Sequence, residues 1–155
     1  MKDELEINLK NLNDTKKLAE KIANVIKPKT FISLRGKLGT GKTTFVRFLV
    51  NFLSIKKVKV LSPTFSLVHT YELKNLKIWH YDLYRLNNKN DIFDLDFDIA
   101  LLNCVIVEWP EIIEEFLPKD RIEILFDDDR NYRRKASLRY FYKKKLKKGS
   151  YENNK

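Results

Sequence analysis

An α/β fold is predicted, with helices around a mixed, mostly parallel central sheet that carries a β-hairpin, and three features of the sequence predict it. Three of the four glycines in 155 residues, Gly36, Gly39 and Gly41, fall between a β-prone run, Thr30-Phe31-Ile32-Ser33-Leu34, and a segment of helical periodicity. Cys104-Val105-Ile106-Val107 is a continuous apolar run, the pattern of a strand covered on both faces. Two β-rich runs, Phe65 to Glu72 and Leu76 to Leu83, flank Leu73-Lys74-Asn75 and form the expected hairpin.

The remaining elements follow in chain order. Glu6 to Leu9 is a short first strand. Asp14 is expected to cap an amphipathic helix over residues 16–26, with Leu18, Ile22 and Val25 on one side and Pro28 just past its end. Thr44 to Leu53 places Phe45, Phe48, Leu49 and Phe52 at i, i+3, i+4 and i+7, one face of a helix. Val58 to Leu61 is expected as a strand closed by Ser62-Pro63-Thr64. Asn87 to Asp98 is expected as a loop with short helices, its acids Asp91, Asp94, Asp96 and Asp98 on a solvated face. A helix carrying Ile112, Ile113 and Phe116 follows the apolar run and closes at Pro118. Arg121 to Phe126 and Ser137 to Tyr142 alternate as edge or terminal strands do. No internal repeat is present, so the expected organisation is one domain over 1–142 and a basic, disordered tail over 143–155.

Composition excludes several classes. A chain of this length buries roughly 68–70% of its unfolded surface as one core. The single Cys104 excludes a disulfide scaffold and fits a reducing compartment. No run approaches the ~18 uncharged apolar residues of a membrane helix. The first ten residues, MKDELEINLK, are charged throughout, unlike a signal peptide, so a soluble cytoplasmic protein is expected. The net charge of +10 is local: residues 130–155 hold 11 of the 31 Lys/Arg and one of the 21 Asp/Glu, leaving the first 129 residues balanced at 20 of each. The segment Lys143 to Lys148, KKKLKK, is either a solvated tail or a sequence-independent contact to RNA phosphates.

Gly36-Lys37-Leu38-Gly39-Thr40-Gly41-Lys42-Thr43 fits G-x-x-x-x-G-K-[ST], the Walker A phosphate loop, and it stands between strand and helix as that motif requires. Its glycines let the backbone curl around phosphate oxygens and turn N–H groups toward them. The fold expected is therefore a P-loop NTPase-like three-layer sandwich. Gly36, Gly39, Thr40, Gly41, Lys42, Thr43 and Thr44 are the nucleotide-binding candidates, with Lys42 on the β- and γ-phosphates and Thr43 on Mg²⁺. A carboxylate at a neighbouring strand end completes such sites, and Glu108 and Asp82 both end apolar runs. Both are candidate catalytic acids, beside Lys42. Trp109 is a core or rim aromatic, and Ser62 to Phe65 is either a γ-phosphate-sensing loop or a plain turn at Pro63. His69 and His80 read as partly exposed strand residues. Tyr71, Tyr81 and Tyr84 read as packing residues with wet hydroxyls.

In this order and spacing, LRGKLGTGKTTFVR, SPTF-SLVHTYE, HYDLYRL and VEWPE resemble the TsaE (YjeE) family of small bacterial P-loop ATPases, over about residues 5–135. The resemblance implies an ATPase needed for N6-threonylcarbamoyladenosine beside the anticodon of tRNAs that read ANN codons. It implies action with the TsaB–TsaD pair, whose turnover ATP would drive, and only indirect involvement of tRNA. It further implies Thr43 and Glu108 as Mg²⁺ ligands, Asp82 as a catalytic or metal-site acid, Thr15 near the adenine and Arg133 near the nucleotide. Thr64 falls in the switch-like segment, and Trp109 matches the tryptophan beside the acid. Family loops usually carry an acid and a small residue where Lys37 and Thr40 stand here. The rival readings are a small P-loop kinase and a nucleotide-gated assembly module with incidental hydrolysis.

Overall fold

The computed structural model describes residues 2–128, 131 and 133–141. The expected basic tail, 143–155, lies outside the described residues, as do Arg130 and Tyr142. The strands are β1 (Lys2–Leu9), β2 (Phe31–Arg35), β3 (Val68–Glu72), β4 (Lys77–Asp82), β5 (Cys104–Glu108), β6 (Arg121–Asp128) and β7 (Arg134–Phe141). They form one sheet in the order β1-β7-β6-β2-β5-β4-β3. The run β6-β2-β5-β4 is parallel. β7 is antiparallel to both β1 and β6, and β3 to β4, so five of the seven strands share one direction.

The buried strand stands where the sequence places it, with every residue of β5 buried, and the hairpin is present with shorter arms, the first beginning at Val68 because Phe65 to Leu67 form a turn. The last two strands are not edges. β6 lies between β2 and β7, and β7 between β6 and β1. Their alternation records one charged sheet face, where Glu123 meets Arg35, Arg121 and Arg139, opposite buried Ile122, Ile124 and Phe126.

Helix α1 (Leu12–Ala23) begins earlier than the expected cap. Asn11 is the N-cap and accepts the Asp14 N–H at 3.1 Å, whereas the Asp14 carboxylate accepts the Lys10 N–H at 2.8 Å. The helix stops before Val25, which is exposed. Helix α2 (Lys42–Leu53) buries Phe45, Val46, Leu49 and Val50, and Phe52 is 46% exposed. Wedged against α1, α2 turns its paired 45/46 and 49/50 positions inward, a face rotated from the one the phenylalanines suggest.

Val58 to Leu61 is not a strand. The Asn51 side chain takes both backbone groups of Val58, donating to its carbonyl at 3.0 Å and accepting its N–H at 2.9 Å. The β-prone segment is thus tied to α2 by an amide and has no strand partner among the described residues. The acidic stretch forms a 3₁₀ segment, Lys89–Leu95, and a short helix α3 (Phe97–Ala100), with all four acids exposed. The expected helix after β5 is a 3₁₀ segment, Pro110–Phe116.

The three layers follow from strand parity. Ile32, Leu34, Ile78, Ile106, Ile124 and Leu138 face α1 and α2. Phe31, Trp79, Tyr81, Val105 and Val107 face the 3₁₀ segments and α3. Because side chains alternate along a strand, the parity of Ile78 puts His80 and Asp82 on the α2 side, and that of Ile106 does the same for Glu108. Among the described residues no helix is long and apolar enough to cross a membrane.

Candidate phosphate-loop site

The loop between β2 and α2 is shaped by its glycines. Gly36 has φ +135°, and a Cβ there would stand 2.3 Å from the carbonyl oxygen of Phe126. Gly41 caps α2 with φ +105°, so the helix N-terminus, with its unpaired N–H groups and positive end, opens into the site. The Thr40 hydroxyl donates to the Lys37 carbonyl at 2.8 Å. The Lys42 ammonium folds back over the loop, donating to the carbonyls of Gly36 at 2.5 Å and Lys37 at 2.7 Å. It also lies 4.4 Å from the centre of the Trp109 ring. Burial lowers the Lys42 pKa, against the pull of Glu108, Asp82 and Glu111.

Across the loop the two strand-end acids stand side by side, since β4 and β5 pair in parallel with Asp82 opposite Glu108. Glu108 receives the Thr43 hydroxyl at 2.9 Å on Oε1 and 3.1 Å on Oε2. His80 Nε2 adds a third contact, 2.8 Å from Oε1. Asp82 Oδ2 accepts from Ser62 at 2.9 Å and from Thr64 at 3.1 Å, while Oδ1 accepts the Tyr84 N–H at 3.1 Å. Both acids are buried, and each is held by several hydrogen-bond donors.

These groups enclose a cavity of about 340 Å³ lined by Gly39, Gly41, Lys42, Thr43, Thr44, Asp82, Glu108 and Trp109 together with Ser62 and Thr64. Gly36 and Thr40 shape the loop behind it. A second cavity of about 580 Å³ is lined by Asn11, Thr15 and Arg133 among others, and Arg134 borders both. The two cavities give room for a phosphate chain and for a bulkier attached group. The Thr43 hydroxyl and the Glu108 carboxylate are the hard oxygen donors a Mg²⁺ ion takes. Among the described residues no cluster of three or more His, Cys, Asp or Glu forms a metal cage. An ion here would draw its remaining ligands from phosphate and water, as Mg²⁺ does beside a nucleotide.

Three residues of the site were not singled out by the sequence. His80 is fully buried beneath Glu108, where a partly exposed strand residue was expected. Its position two residues before Asp82 on one strand was the usable signal. Tyr71 lies behind it, its hydroxyl 3.4 Å from His80 Nδ1, and burial with the nearby Glu108 charge pushes the phenol up to about 12. Arg134 donates to the Gly39 carbonyl at 3.4 Å, so it touches the loop directly. Tyr81 is likewise not wet, because its hydroxyl donates to the Leu95 carbonyl inside the core at 2.8 Å. Tyr84 is half exposed and packs on Trp109, and His69 bonds Ser66 on the hairpin at 2.9 Å.

The family model described as threonylcarbamoyl adenosine biosynthesis protein TsaE matches residues 9–136. A Rickettsia conorii tRNA threonylcarbamoyladenosine biosynthesis protein TsaE is 39% identical over 131 residues, covering 84% of this chain and 75% of the relative. The Aquifex aeolicus protein of that name is 41% identical over 130 residues, covering 83% of this chain and 93% of its own. Among solved structures, Bacillus subtilis YdiB superimposes with a TM-score of 0.73 at 27% identity, covering 92% of this chain and 88% of YdiB.

Proposed function

The chain belongs to the TsaE family of tRNA threonylcarbamoyladenosine biosynthesis, and from that premise we propose that it is a Mg²⁺-dependent ATPase, slow alone, that drives turnover of a TsaB–TsaD complex in the cytoplasm. The observation that carries the reading is the single cavity in which Lys42 and Thr43 of the phosphate loop face Asp82 and Glu108. Positioning and charge stabilisation are nearly all that phosphoryl transfer asks of a protein. In this reading Lys42 turns from the loop carbonyls to the β- and γ-phosphates, and the N–H groups of Gly41, Lys42, Thr43 and Thr44 receive phosphate oxygens. Thr43 and Glu108 hold Mg²⁺, which supplies positive charge at the transferring group. Asp82 or Glu108 orients the attacking water. Thr15 and Arg133, in the adjoining cavity, flank the adenosine.

The test is ATP hydrolysis by the wild type, Lys42→Ala and Glu108→Ala, each with and without purified TsaB–TsaD. Weak activity that rises with the pair and is lost in both variants is expected. Phosphorylation of a small molecule or peptide with no effect of the pair would replace the reading with a kinase. Nucleotide binding without hydrolysis or transfer would replace it with a nucleotide-gated assembly module.

A further inference from the structure

We propose that His80 is the positioning residue for Glu108, a hydrogen-bond donor that fixes one carboxylate oxygen and leaves the other toward the loop for a divalent cation. The inference rests on the reading of Glu108 as a metal-site acid. His80 has no exposed surface. Nε2 lies 2.8 Å from Glu108 Oε1, and Nδ1 lies 3.4 Å from the Tyr71 hydroxyl. An ionised carboxylate only accepts, so the shared proton belongs to Nε2. On the other side of the ring Nδ1 faces the Tyr71 hydroxyl at 3.4 Å. The result is a chain of contacts from the Tyr71 hydroxyl through the His80 ring to Glu108, in which Nε2–H donates to Oε1.

The choice of residue has a physical reason. A buried carboxylate with no donor is costly, and a lysine or arginine there would satisfy it only by cancelling the charge that attracts a cation. An imidazole N–H satisfies one oxygen and fixes its direction without the fixed charge of those side chains. Oε1 is doubly engaged, by His80 and Thr43, whereas Oε2 has only the Thr43 hydroxyl at 3.1 Å. Thr43 can turn its own oxygen to a cation, but His80, packed in the core, cannot leave. Oε2 is therefore the oxygen that becomes available, 3.1 Å from the Thr43 hydroxyl and without a bond to His80.

Two measurements test this. In the metal-free wild type with ¹⁵N-labelled histidine, two-bond ¹⁵N–¹H spectra should show His80 with its proton on Nε2. An Nε2 that carries no proton overturns the proposal. Binding of a fluorescent ATP analogue is then titrated with and without Mg²⁺ for the wild type, His80→Gln, His80→Phe and Glu108→Gln. His80→Phe should keep Mg²⁺-free nucleotide binding while its Mg²⁺ requirement rises about 10–100-fold, the usual loss when a ligand's supporting partner is removed. His80→Gln, whose amide N–H reaches the place of Nε2, should stay close to wild type. Equal shifts in both His80 variants, or a shift in neither, overturn the positioning role. If Glu108→Gln also leaves the Mg²⁺ requirement unmoved, the metal-site reading falls with it, whereas a shift in Glu108→Gln alone removes only the inference about His80. The tautomer measurement uses no variant, so it decides the matter even where His80→Phe does not fold.

Discussion

Gly36→Ala is the substitution for which the geometry gives the sharpest expectation. The new Cβ would stand 2.3 Å from the Phe126 carbonyl oxygen and 2.9 Å from Thr40 Oγ1, against a floor of 3.0 Å for real contacts. Something must move by at least the 0.7 Å difference between 2.3 and 3.0 Å. Phe126 is not free to yield, because β6 is paired on both sides, Leu125 with Arg35 and Phe126 with Ala136. The displacement therefore falls on the loop. A non-glycine residue at φ +135° also carries strain of order 1–3 kcal/mol, and each kcal/mol lowers the melting temperature of a domain this size by about 2–4 °C. The displaced loop carries the Gly36 carbonyl that Lys42 bonds at 2.5 Å, so nucleotide affinity should fall at least tenfold, or about 1.4 kcal/mol. Gly39→Ala is the control. Its φ is +74° but no protein atom lies within 4 Å of its Cβ, so it should show the backbone cost of about 1–2 kcal/mol with a smaller loss of affinity than Gly36→Ala. Thermal unfolding and titration with a fluorescent nucleotide measure both. Nucleotide affinity in Gly36→Ala within twofold of wild type, or Gly39→Ala as damaging as Gly36→Ala, would refute the reasoning.

Further predictions concern stability. Burial raises the Cys104 thiol from 9.0 to about 12, so the fold favours its protonated form. That contribution is fully present below pH 9 and is lost as pH rises toward 12. Tyr71 adds to the loss from its ordinary value of 10.0 upward. Urea midpoints should decline on the alkaline side, less steeply in Cys104→Ala, and parallel curves would contradict this. Leu49→Ala should cost about 2–5 kcal/mol and Phe52→Ala about 1 kcal/mol or less, although a simple helical wheel puts both inside. Equal denaturation midpoints would show that the buried face of α2 is misassigned. Asn51→Ala should cost about 1–3 kcal/mol by leaving the Val58 backbone groups unpaired. No loss on chemical denaturation would mean that water takes the place of the amide.

What was legible in the sequence was local. The phosphate loop, β5 and the hairpin announce themselves through spacing and continuous apolar runs, and the two acids are recognisable because they end such runs. What was not legible depends on partners far away in the chain. Val58 to Leu61 has strand-like composition, yet an asparagine side chain takes its backbone. β6 and β7 alternate like edges because one face of the sheet is a charge lattice, and alternation does not report strand order. His80 shares a parity with Asp82, but only the packing of α2 over that face turns parity into burial. Thr15 and Arg133 enter the second cavity by a resemblance of sequence, since no spacing links positions so far apart.

That separation has a consequence for how the molecule comes into being. β1 pairs with β7 along its whole length, from Leu9 opposite Arg134 to Lys2 opposite Phe141, every contact more than a hundred positions apart. Such closure has high contact order and carries a large entropic cost, so it belongs late in folding. During synthesis β1 is made long before β7 and stays without its partner until β7 has followed. The cavity that joins Asn11 and Thr15 to Arg133 and Arg134 does not exist before then. Any ligand that fills it binds only the finished topology and stabilises that state by mass action, so occupancy of that cavity reports that β1 and β7 have paired.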